Sequence, residues 1–273
     1  MKYICLDGNI LPEDQPALHV TNRGYRYGDA VFETMRVKSG RILLESFHFE
    51  RLFDSLHRLG FDLPPFLTPP YLLKSVLLLC KQNNCLDAAR VRLSVSRGNG
   101  NLSDPAQAQF LVECMPVNPG IELLNENGFI IEIYPDAIKH HDLFSDIKSA
   151  NYLPYVMASR FAKHNGLDDA LLLNTNNMVA DASIANVFLV NNQKLYTPSL
   201  TQGCIAGVMR RWLIENYNAV ETSVSIQDLL EADEVFLTNA VYGLRWVKLF
   251  REKTYSHTAI SAIHDTLSRR IWS

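Results

Sequence analysis

A lysine near the middle of the chain, Lys148, is the residue whose surroundings most strongly suggest chemistry. It begins the sequence KSANYLPYVMASRFA, which predicts an amphipathic helix opened by the lysine itself. A helix start would fix the root of the side chain and let the amine point into a cleft, where desolvation lowers the pKa of an ammonium group. Such an amine can attack a carbonyl carbon. Because most lysines are solvated surface residues, this hypothesis depends on the residues that accompany Lys148.

Two polar residues, Asp181 and Asn186, lead into a strongly apolar strand in the sequence DASIANVFLV. An acidic residue just before a buried strand is usually part of a turn. It can also serve as a buried carboxylate in a site that contains Lys148. Taken alone, this stretch leaves both interpretations open.

Two further stretches could present backbone amides to an anion. Residues 203–210 predict a helix start with two glycines and no acidic side chain in its first turns. Bare amides at a helix N-terminus favour an anion, and phosphate in particular. The alternative is a helix start that is only closely packed. The sequence EVFLTNAVYG predicts a buried strand that ends in a polar turn, a second place where amides could face an anion.

Composition and charge exclude several classes of function. The 273 residues can form one large domain or two smaller ones, and 47% hydrophobic content is ordinary for a globular protein with a substantial core. A formal net charge of −3 argues against a general nucleic-acid or membrane-surface binder. The first residues do not resemble a signal peptide, and no apolar run approaches the roughly 18 residues of a membrane span. We therefore expect a cytoplasmic protein.

The cysteines support the same expectation. There are five, an odd number, and they are widely spaced without a Cys-x-x-Cys pair. This usage is typical of a reducing compartment, where thiols serve as small core residues. The sequence therefore predicts no metal site.

The first part of the chain predicts a mixture of strands and helices. The predicted strands are a hairpin within 1–12, an alternating strand that ends at Val37, and strands near 91–95 and 109–114. A helix should begin with Ser46 as its N-cap and stop at Gly60, and a second should cover about 70–82. The sequence MPVNPG then predicts a linker, and we place a domain boundary between residues 117 and 118.

The second part, residues 118–273, continues this mixture. The predicted elements are strands near 128–134, 169–174, 179–190, 195–197 and 234–238, and helices over about 205–217, 226–231 and 257–271. Because strands and helices do not alternate strictly, the pattern favours an α+β fold over a doubly wound sheet.

Seven motifs, in this order, resemble the class IV, or fold-type IV, pyridoxal-phosphate enzymes. They are RGYRYGDAVFETMRV, HFERL, SRGNG, IKSANYL, DASIANVFLV, LYTPSLTQGCIAGVMR and EVFLTNAVYG, and they cover nearly the whole chain. This group includes branched-chain aminotransferases, D-amino-acid aminotransferases and aminodeoxychorismate lyases. The resemblance implies a smaller N-terminal α/β domain over 1–117 and a larger barrel-like domain over 118–273. It also implies pyridoxal 5'-phosphate in the cleft between them, a small-molecule amine or amino-acid substrate, and a homodimer.

The resemblance also implies a role for each residue near the reacting end of the cofactor. Lys148 would hold the cofactor through a Schiff base and move the substrate proton. Asp181 would pair with the pyridinium nitrogen and keep it protonated. Tyr152 would contact the phenolic oxygen, while Asn186 would be structural.

At the phosphate end, the resemblance implies that Arg51 clamps the phosphate with its bidentate guanidinium. The amides of Val208, Met209, Asn239 and Ala240 would complete the cradle. The chain departs from the family pattern at two of these positions, because threonine is usual at Met209 and serine or threonine at Ala240. Two phosphate-facing hydroxyls would thus be missing, at about 1 kcal/mol each. We expect weaker cofactor binding but not its loss.

Two further departures are glutamate replaced by aspartate at Asp181 and proline replaced by Trp246. The shorter carboxylate of Asp181 must reach about one methylene further. These changes leave open a non-catalytic relative that acts through its dimer surface.

The motifs look closest to those of aminodeoxychorismate lyases. We therefore predict cleavage of 4-amino-4-deoxychorismate to 4-aminobenzoate and pyruvate, with transamination of branched-chain or D-amino acids as the alternative. An arginine that lyases and D-amino-acid enzymes often carry a few positions after Arg97 is absent, with Asn101 and Leu102 in its place. The Thr-Gly-Thr turn that is typical of branched-chain enzymes is replaced by TNA. The candidates for substrate contact are Arg26, Phe32, Arg97 and Arg245.

Overall fold

The computed structural model describes residues 2–15 and 17–272. These form two compact units. The first unit comprises Met1–Ile121 together with Lys148–Asn151, and the second comprises Glu122–Ile147 and Tyr152–Ser273. The short segment that carries Lys148 therefore belongs with the N-terminal part of the chain, although 26 residues of the second unit precede it.

The first unit is an antiparallel sheet with two long helices. Its elements are β1 (Tyr3–Leu6), β2 (Asn9–Pro12), α1 (Arg23–Tyr27), β3 (Ala30–Lys38), β4 (Arg41–Ile42), α2 (Glu45–Arg58), α3 (Pro69–Gln82), β5 (Ala88–Ser96) and β6 (Gln109–Pro116). The strand order is β2-β1-β6-β5-β3-β4, and every pairing is antiparallel. Along β5 buried and half-buried side chains alternate, as expected for a strand with one face on the core. Helix α2 packs on β3, and α3 packs on β1, β5 and β6.

The second unit is built on a larger, mixed sheet. Its elements are β7 (Phe129–Lys139), α4 (Leu153–His164), β8 (Asp169–Asn174), β9 (Val179–Ala182), β10 (Asn186–Asn191), β11 (Lys194–Pro198), α5 (Val208–Tyr217), β12 (Val220–Thr222), α6 (Ile226–Glu231), β13 (Glu234–Asn239), β14 (Gly243–Phe250), β15 (Lys253–Thr254) and α7 (Thr258–Arg270). The order is β12-β11-β10-β13-β14-β7-β8-β9, with β15 beside β14. Strand β9 at one edge also contacts β10 and β11, so the sheet curls like part of a barrel.

The α+β class predicted from the sequence is confirmed, because antiparallel pairs dominate and the parallel pairs are confined to β7 with its two neighbours and to β11 with β12. Two short 3-10 turns, Pro119–Glu122 and Leu200–Gln202, complete the described elements. None of the described helices is both long and apolar enough to cross a membrane.

Several predicted boundaries were wrong for identifiable reasons. Helix α4 begins at Leu153, with a proline in its first turn, and not at Lys148. The N-cap of α2 is Leu44, in a left-handed conformation with φ of 54°, and not Ser46. The single strand predicted over 179–190 is two strands, because the Ala182 N–H donates to the Ala185 carbonyl and closes a bend between them.

Four of the numbered elements escaped the sequence patterns altogether: α1, β12, β14 and β15, of which β12 and β15 have only three and two residues. Helix α1 has only five residues, too few to show a helical period. Strand β14 is buried on both faces over much of its length, so it shows no alternation of apolar and polar residues. Helix α5 begins at Val208, three residues later than predicted, after an irregular segment.

Candidate functional site

Lys148 is anchored by strand pairing and not by a helix. Its carbonyl oxygen accepts the Phe32 N–H at 3.0 Å, and the Ala150 N–H donates to the Ala30 carbonyl at 2.8 Å. Residues 148–151 therefore lie along β3 and are held there by its backbone. The backbone of Lys148 is therefore fixed, as expected, but it is fixed by pairing with strand β3 and not by the start of a helix.

The Lys148 side chain lies against an aromatic ring. Its Nζ is 4.4 Å from the centroid of the Phe32 ring, and the guanidinium carbon of Arg92 is 3.6 Å from the same centroid. Phe32 is only 4% exposed. Two cations thus share one buried ring, an arrangement that keeps the Lys148 amine close to β3.

A buried ion-pair network lies on the same strand. Arg51 donates through Nε to Glu33 Oε1 at 2.8 Å and through Nη2 to Glu33 Oε2 at 2.5 Å. His48 Nδ1 lies 2.6 Å from Glu33 Oε2, and it must carry the proton because an ionised carboxylate only accepts. His48 and Arg51 are three residues apart on α2, so one helix face presents both side chains to Glu33.

The charges in this network oppose the effect of burial. Burial alone would raise the pKa of Glu33, but the charges of Arg51 and His48 and their hydrogen bonds outweigh it and hold that pKa at about 2. Burial lowers the pKa of His48, and the charges of Arg51 and Lys148 act in the same direction. At neutral pH the network is therefore a Glu33–Arg51 ion pair beside a neutral histidine.

In the second unit, the centre of the candidate site is Asp181 on β9. Its carboxylate is 2% exposed and accepts three hydrogen bonds. Asn186 Nδ2 donates to Oδ1 at 2.9 Å, while the Tyr155 hydroxyl and the Ile205 N–H donate to Oδ2 at 2.8 and 2.9 Å. A carboxylate offers about four acceptor positions, so one position remains open among the described residues.

Asp181 differs from Glu33 in having no cation bonded to it. Burial raises its pKa to about 6, although the charge of Lys139 and the hydrogen bonds from Ile205 and Tyr155 act in the opposite direction. The Tyr155 hydroxyl has a pKa well above its usual value, because it is buried and close to the Asp181 charge. It therefore stays protonated and continues to donate. Tyr152 stacks on Tyr155 with ring centroids 4.5 Å apart, and this stack covers the site from α4.

The start of α5 connects Asp181 to a set of backbone amides. Asn186 Nδ2 also donates to the Ile205 carbonyl at 2.8 Å, which ties the segment before α5 to β10. The N-cap of α5 is Gly207, where a Cβ atom would lie 1.9 Å from Asn186 Oδ1, so only glycine fits. No side chain caps the helix and its first turn has no acidic residue. The amides of Val208 and Met209 at this end favour an anion.

The turn after β13 is shaped by a side chain. Asn239 Oδ1 accepts the N–H groups of Val241 and Tyr242 at 2.9 and 3.1 Å, and Asn239 Nδ2 donates to the Ile184 carbonyl at 3.2 Å. This carboxamide satisfies the two amides that follow Ala240. It also fixes the path of the Asn239–Ala240 backbone.

Two of the candidate substrate residues are arginines of the first unit. Arg97 is fully engaged, with Nε on the Asp29 carboxylate at 3.0 Å and its two terminal nitrogens on the carbonyls of Gly60 and Leu59, each at 2.8 Å. Arg26, on α1, is exposed and donates to the Gly100 carbonyl at 3.5 Å, a distance at the limit of a hydrogen bond. Of these two guanidinium groups, only that of Arg26 is presented to solvent.

Arg245 belongs to the second unit and is 9% exposed. Its Nη1 donates to the carbonyls of Leu123, Leu244 and Tyr242 at 3.0, 2.7 and 3.3 Å, and its guanidinium lies over the Tyr242 ring. These contacts tie β14 to the segment that precedes β7. They give Arg245 a structural function whether or not it meets a substrate.

Sequence reasoning missed four residues of these two clusters: Glu33, His48, Lys139 and Tyr155. A signal was available for Glu33, since an acidic residue inside the apolar run AVFETMRV requires a buried partner. Nothing in the local pattern marked His48 or Tyr155, because their partners are distant in sequence.

Comparison with known proteins identifies the family. The model of the family described as class IV amino-transferase matches residues 30–250 of this chain. The chain belongs to this family. It is therefore an enzyme, and its cofactor is pyridoxal phosphate, as the motifs implied.

The relatives carry the names of different enzymes, including a D-alanine aminotransferase of Bacillus licheniformis that is 26% identical over 86% of this chain and 84% of its own length. A protein of Methanocaldococcus jannaschii named "Putative branched-chain-amino-acid aminotransferase" is 34% identical over 86% of this chain and 83% of its own length. The aminodeoxychorismate lyase of Bacillus subtilis is 30% identical over 87% of this chain and 83% of its own length. Among solved structures, the 4-amino-4-deoxychorismate lyase of Pseudomonas aeruginosa is 26% identical and covers 98% of each chain, with a TM-score of 0.84. Class IV membership thus leaves the specific reaction open.

Proposed function

We propose that Lys148 is the residue that binds pyridoxal phosphate covalently and that the enzyme is a 4-amino-4-deoxychorismate lyase. The observation that supports the role of Lys148 is its anchoring along β3, beside the buried Glu33–Arg51 pair. A fixed backbone limits where the amine can reach, and positioning of this kind accounts for a large part of catalytic efficiency.

Each unit, taken by itself, contains donors that match groups of the cofactor. Asp181 has an open acceptor position and a pKa raised by burial, so a protonated ring nitrogen would supply the cation that it lacks. For the phosphate we propose Arg51, whose plane is fixed by Glu33, together with the amides of Val208 and Met209. The Asn239–Ala240 backbone is the second amide source.

When bound, the cofactor supplies an electron sink for the substrate carbon that loses its proton. The protein groups then do three things. Lys148 accepts and returns the proton, Asp181 keeps the ring nitrogen charged, and Tyr155 fixes the Asp181 carboxylate through its 2.8 Å hydrogen bond. Tyr152, stacked on Tyr155, is proposed to contact the phenolic oxygen.

The choice of a lyase is supported by Arg26. The lyase substrate carries two carboxylates, whereas a branched-chain amino acid carries one carboxylate and an apolar side chain. Arg26 is the exposed guanidinium of α1, flanked by the 79% exposed Tyr25 and by Tyr27. The Arg26 guanidinium lies 4.9 Å from the Tyr27 ring centroid, and a cation beside an aromatic ring suits a carboxylated ring better than an aliphatic chain. The Bacillus subtilis relative supports the same reaction.

Transamination is the second candidate, and one observation favours it. The relative from Methanocaldococcus jannaschii is more similar to this chain than the Bacillus subtilis lyase, at 34% against 30% identity. All groups proposed here for cofactor binding would serve a transaminase equally well, because the two reactions diverge only after the proton has been removed.

The deciding experiment supplies both substrates to the same protein reconstituted with pyridoxal phosphate. With 4-amino-4-deoxychorismate, we expect 4-aminobenzoate, followed by fluorescence, and an equal amount of pyruvate, followed by NADH oxidation with lactate dehydrogenase. With L-leucine or D-alanine, we expect little conversion of the bound cofactor to its pyridoxamine form. Pyridoxamine formation from amino acids without pyruvate from the lyase substrate would reassign the enzyme as a transaminase.

Two lysine variants test the assignment of Lys148. Lys148→Ala should abolish the visible absorbance of the bound cofactor and all turnover, since no amine replaces it. Lys163→Ala, in the last turn of α4 and exposed, is the matched control and should keep both. Loss of the absorbance in both variants, or in neither, would contradict the proposal.

The homodimer implied by the family also remains a proposal. It is checked by light scattering of the purified protein with and without the cofactor.

A further inference from the structure

Three cysteines of the first unit meet in its interior, away from any residue proposed above for cofactor binding. They are Cys80, Cys85 and Cys114, and we call them the thiol cluster. All three Sγ atoms lie within 4.8 Å of one another. All three residues are buried, at 0%, 4% and 3% exposure. They form the one group of three or more potential metal ligands at this spacing among residues 2–15 and 17–272.

The fold positions each thiol separately. Cys80 lies on the buried face of α3, near its C-terminal end. Cys85 follows the turn that ends α3, where its N–H donates to the Cys80 carbonyl at 2.9 Å. Cys114 lies on β6, whose side chains alternate, and it points to the same side as Val112. A helix end, a turn and a strand therefore converge on one point.

The spacing of the three sulfur atoms is compatible with a single shared metal ion. An ion bound to three sulfurs at about 2.3 Å in a plane would hold them about 4.0 Å apart. The Sγ atoms of Cys85 and Cys114 are 3.6 Å apart, and the whole cluster is within 4.8 Å. Small side-chain rotations would bring the three atoms onto such a ring. All three cysteines are free thiols in the structure, so each sulfur is available as a ligand.

The chemistry of the ligands selects the kind of ion. Thiolates favour soft metal ions, chiefly Cu(I) and Zn(II). Structural zinc is almost always four-coordinate, and no histidine, carboxylate or fourth cysteine joins this group within the described residues. Cu(I) is satisfied by three sulfur ligands. The three residues are also buried, which would shield Cu(I) from solvent and from oxidation.

We propose that the thiol cluster is a binding site for one Cu(I) ion, held by the sulfur atoms of Cys80, Cys85 and Cys114. Two neighbours complement the negative charge that such ligands carry. Asn83 Nδ2 donates to Cys114 Sγ at 3.2 Å, and the positive charge of Lys2 acts on the same sulfur. The turn at Asn83 and the exposed Asn84 is the nearest surface, and it provides the route of entry.

The test uses the complete, reduced protein without oxygen, and it does not depend on the proposed enzyme activity. Cu(I) is supplied as its coloured bicinchoninate complex, and transfer to the protein is followed by the loss of colour and by the ultraviolet band of Cu(I)–thiolate charge transfer. We expect one ion per chain. Cys85→Ser should weaken binding at least about a hundredfold, because loss of a direct ligand exceeds the loss of an outer-shell contact.

Cys5→Ser is the matched control, since Cys5 is a buried thiol of the same sheet outside the cluster. It should bind Cu(I) like the wild type. If Cys85→Ser does not fold, X-ray absorption of the wild-type complex decides, with three sulfur neighbours expected around copper. Failure of the wild type to take up Cu(I), equal loss in Cys5→Ser, nitrogen or oxygen neighbours, or Zn(II) affinity equal to that for Cu(I) would overturn the proposal.

Discussion

Two buried carboxylates, one in each unit, show how opposite environments arise from the same residue chemistry. Glu33 and Asp181 are 1% and 2% exposed, so burial raises the pKa of both. Yet the pKa of Glu33 is held at about 2, whereas that of Asp181 is raised to about 6. The difference lies in the donors: Glu33 is bonded to a guanidinium and an imidazole, and Asp181 only to neutral groups.

The two carboxylates differ in whether the protein itself balances their negative charge: Glu33 is paired with a cation, and Asp181 is not. The Glu33 charge is balanced within the first unit, and its two hydrogen bonds from Arg51 fix the plane of that guanidinium. The Asp181 charge is not balanced by a bonded cation, and a buried charge in this condition is costly. Three neutral donors hold the Asp181 carboxylate in place and leave one position for a cationic N–H. A perturbed pKa of this kind is typical of functional sites.

The largest effect that this comparison predicts is on catalysis by Asp181→Asn. An amide cannot keep the ring nitrogen of the cofactor protonated, so kcat at saturating cofactor should fall about a thousandfold, as expected when about 4 kcal/mol of buried charge pairing is lost. The measurement is steady-state turnover of the lyase substrate.

The control for this variant is Asp169→Asn. Asp169 is also a buried aspartate of the second unit, but its hydrogen bonds come from the backbone N–H groups of Ala170 and Ser183 and from the Ser183 side chain. Its substitution should lower stability and leave kcat within a few-fold of wild type. An equal loss of kcat in both variants would mean that Asp181 acts only through the fold.

The second prediction concerns the pH dependence of stability in the protein without cofactor. The pKa of Asp181 is raised from 3.8 to about 6, so its contribution is fully present below pH 3.8 and is lost as the pH rises through about 6. The pKa of Glu33 is lowered from 4.5 to about 2, so its contribution is present above pH 4.5 and is lost as the pH falls through about 2. Each shift corresponds to about 3 kcal/mol.

Urea unfolding between pH 2 and 8 measures both contributions. Asp181→Asn should flatten the decline in the free energy of unfolding between about pH 4 and 7. Glu33→Gln should flatten only the loss of stability below about pH 4.5. Saturation with pyridoxal phosphate should raise the free energy of unfolding, since the ligand binds only the folded state. The gain should be largest near neutral pH, where Asp181 is ionised and can pair with the proposed ring nitrogen. If the free energy of unfolding of Asp181→Asn falls with pH as steeply as that of the wild type, the Asp181 carboxyl of the wild type does not titrate in this range.

The sequence predicted the fold class and most of the long strands from stretches of ten or so residues. The roles of Lys148, Arg51 and Asp181 were taken from family motifs and stay predictions. The sequence did not predict that Lys148 is held by β3, because strand pairing between residues 32 and 148 leaves no local periodicity. Strand β14 was missed for a related reason, since burial on both faces removes the alternation.

The sequence also did not predict that the pKa values of Glu33 and Asp181 shift in opposite directions. Both residues stand in apolar stretches, and nothing near Glu33 in the chain indicates that α2 will bring His48 and Arg51 to it. The pKa of each group depends on partners at least 15 residues away in the chain. Tertiary packing decides which carboxylate is neutralised by the protein and which is left for a ligand.

The smallest predicted effect comes from Tyr155→Phe, which removes one neutral donor from Asp181. Loss of the 2.8 Å hydrogen bond should lower the free energy of unfolding by about 1 kcal/mol. Because this bond lowers the pKa of Asp181, its loss should also move the midpoint of the pH-dependent decline to higher pH. Tyr134→Phe, in the same hydrophobic cluster, should not move that midpoint. A shift in both variants would trace the pKa of Asp181 to burial alone, and the three-donor cradle would then have no part in setting it.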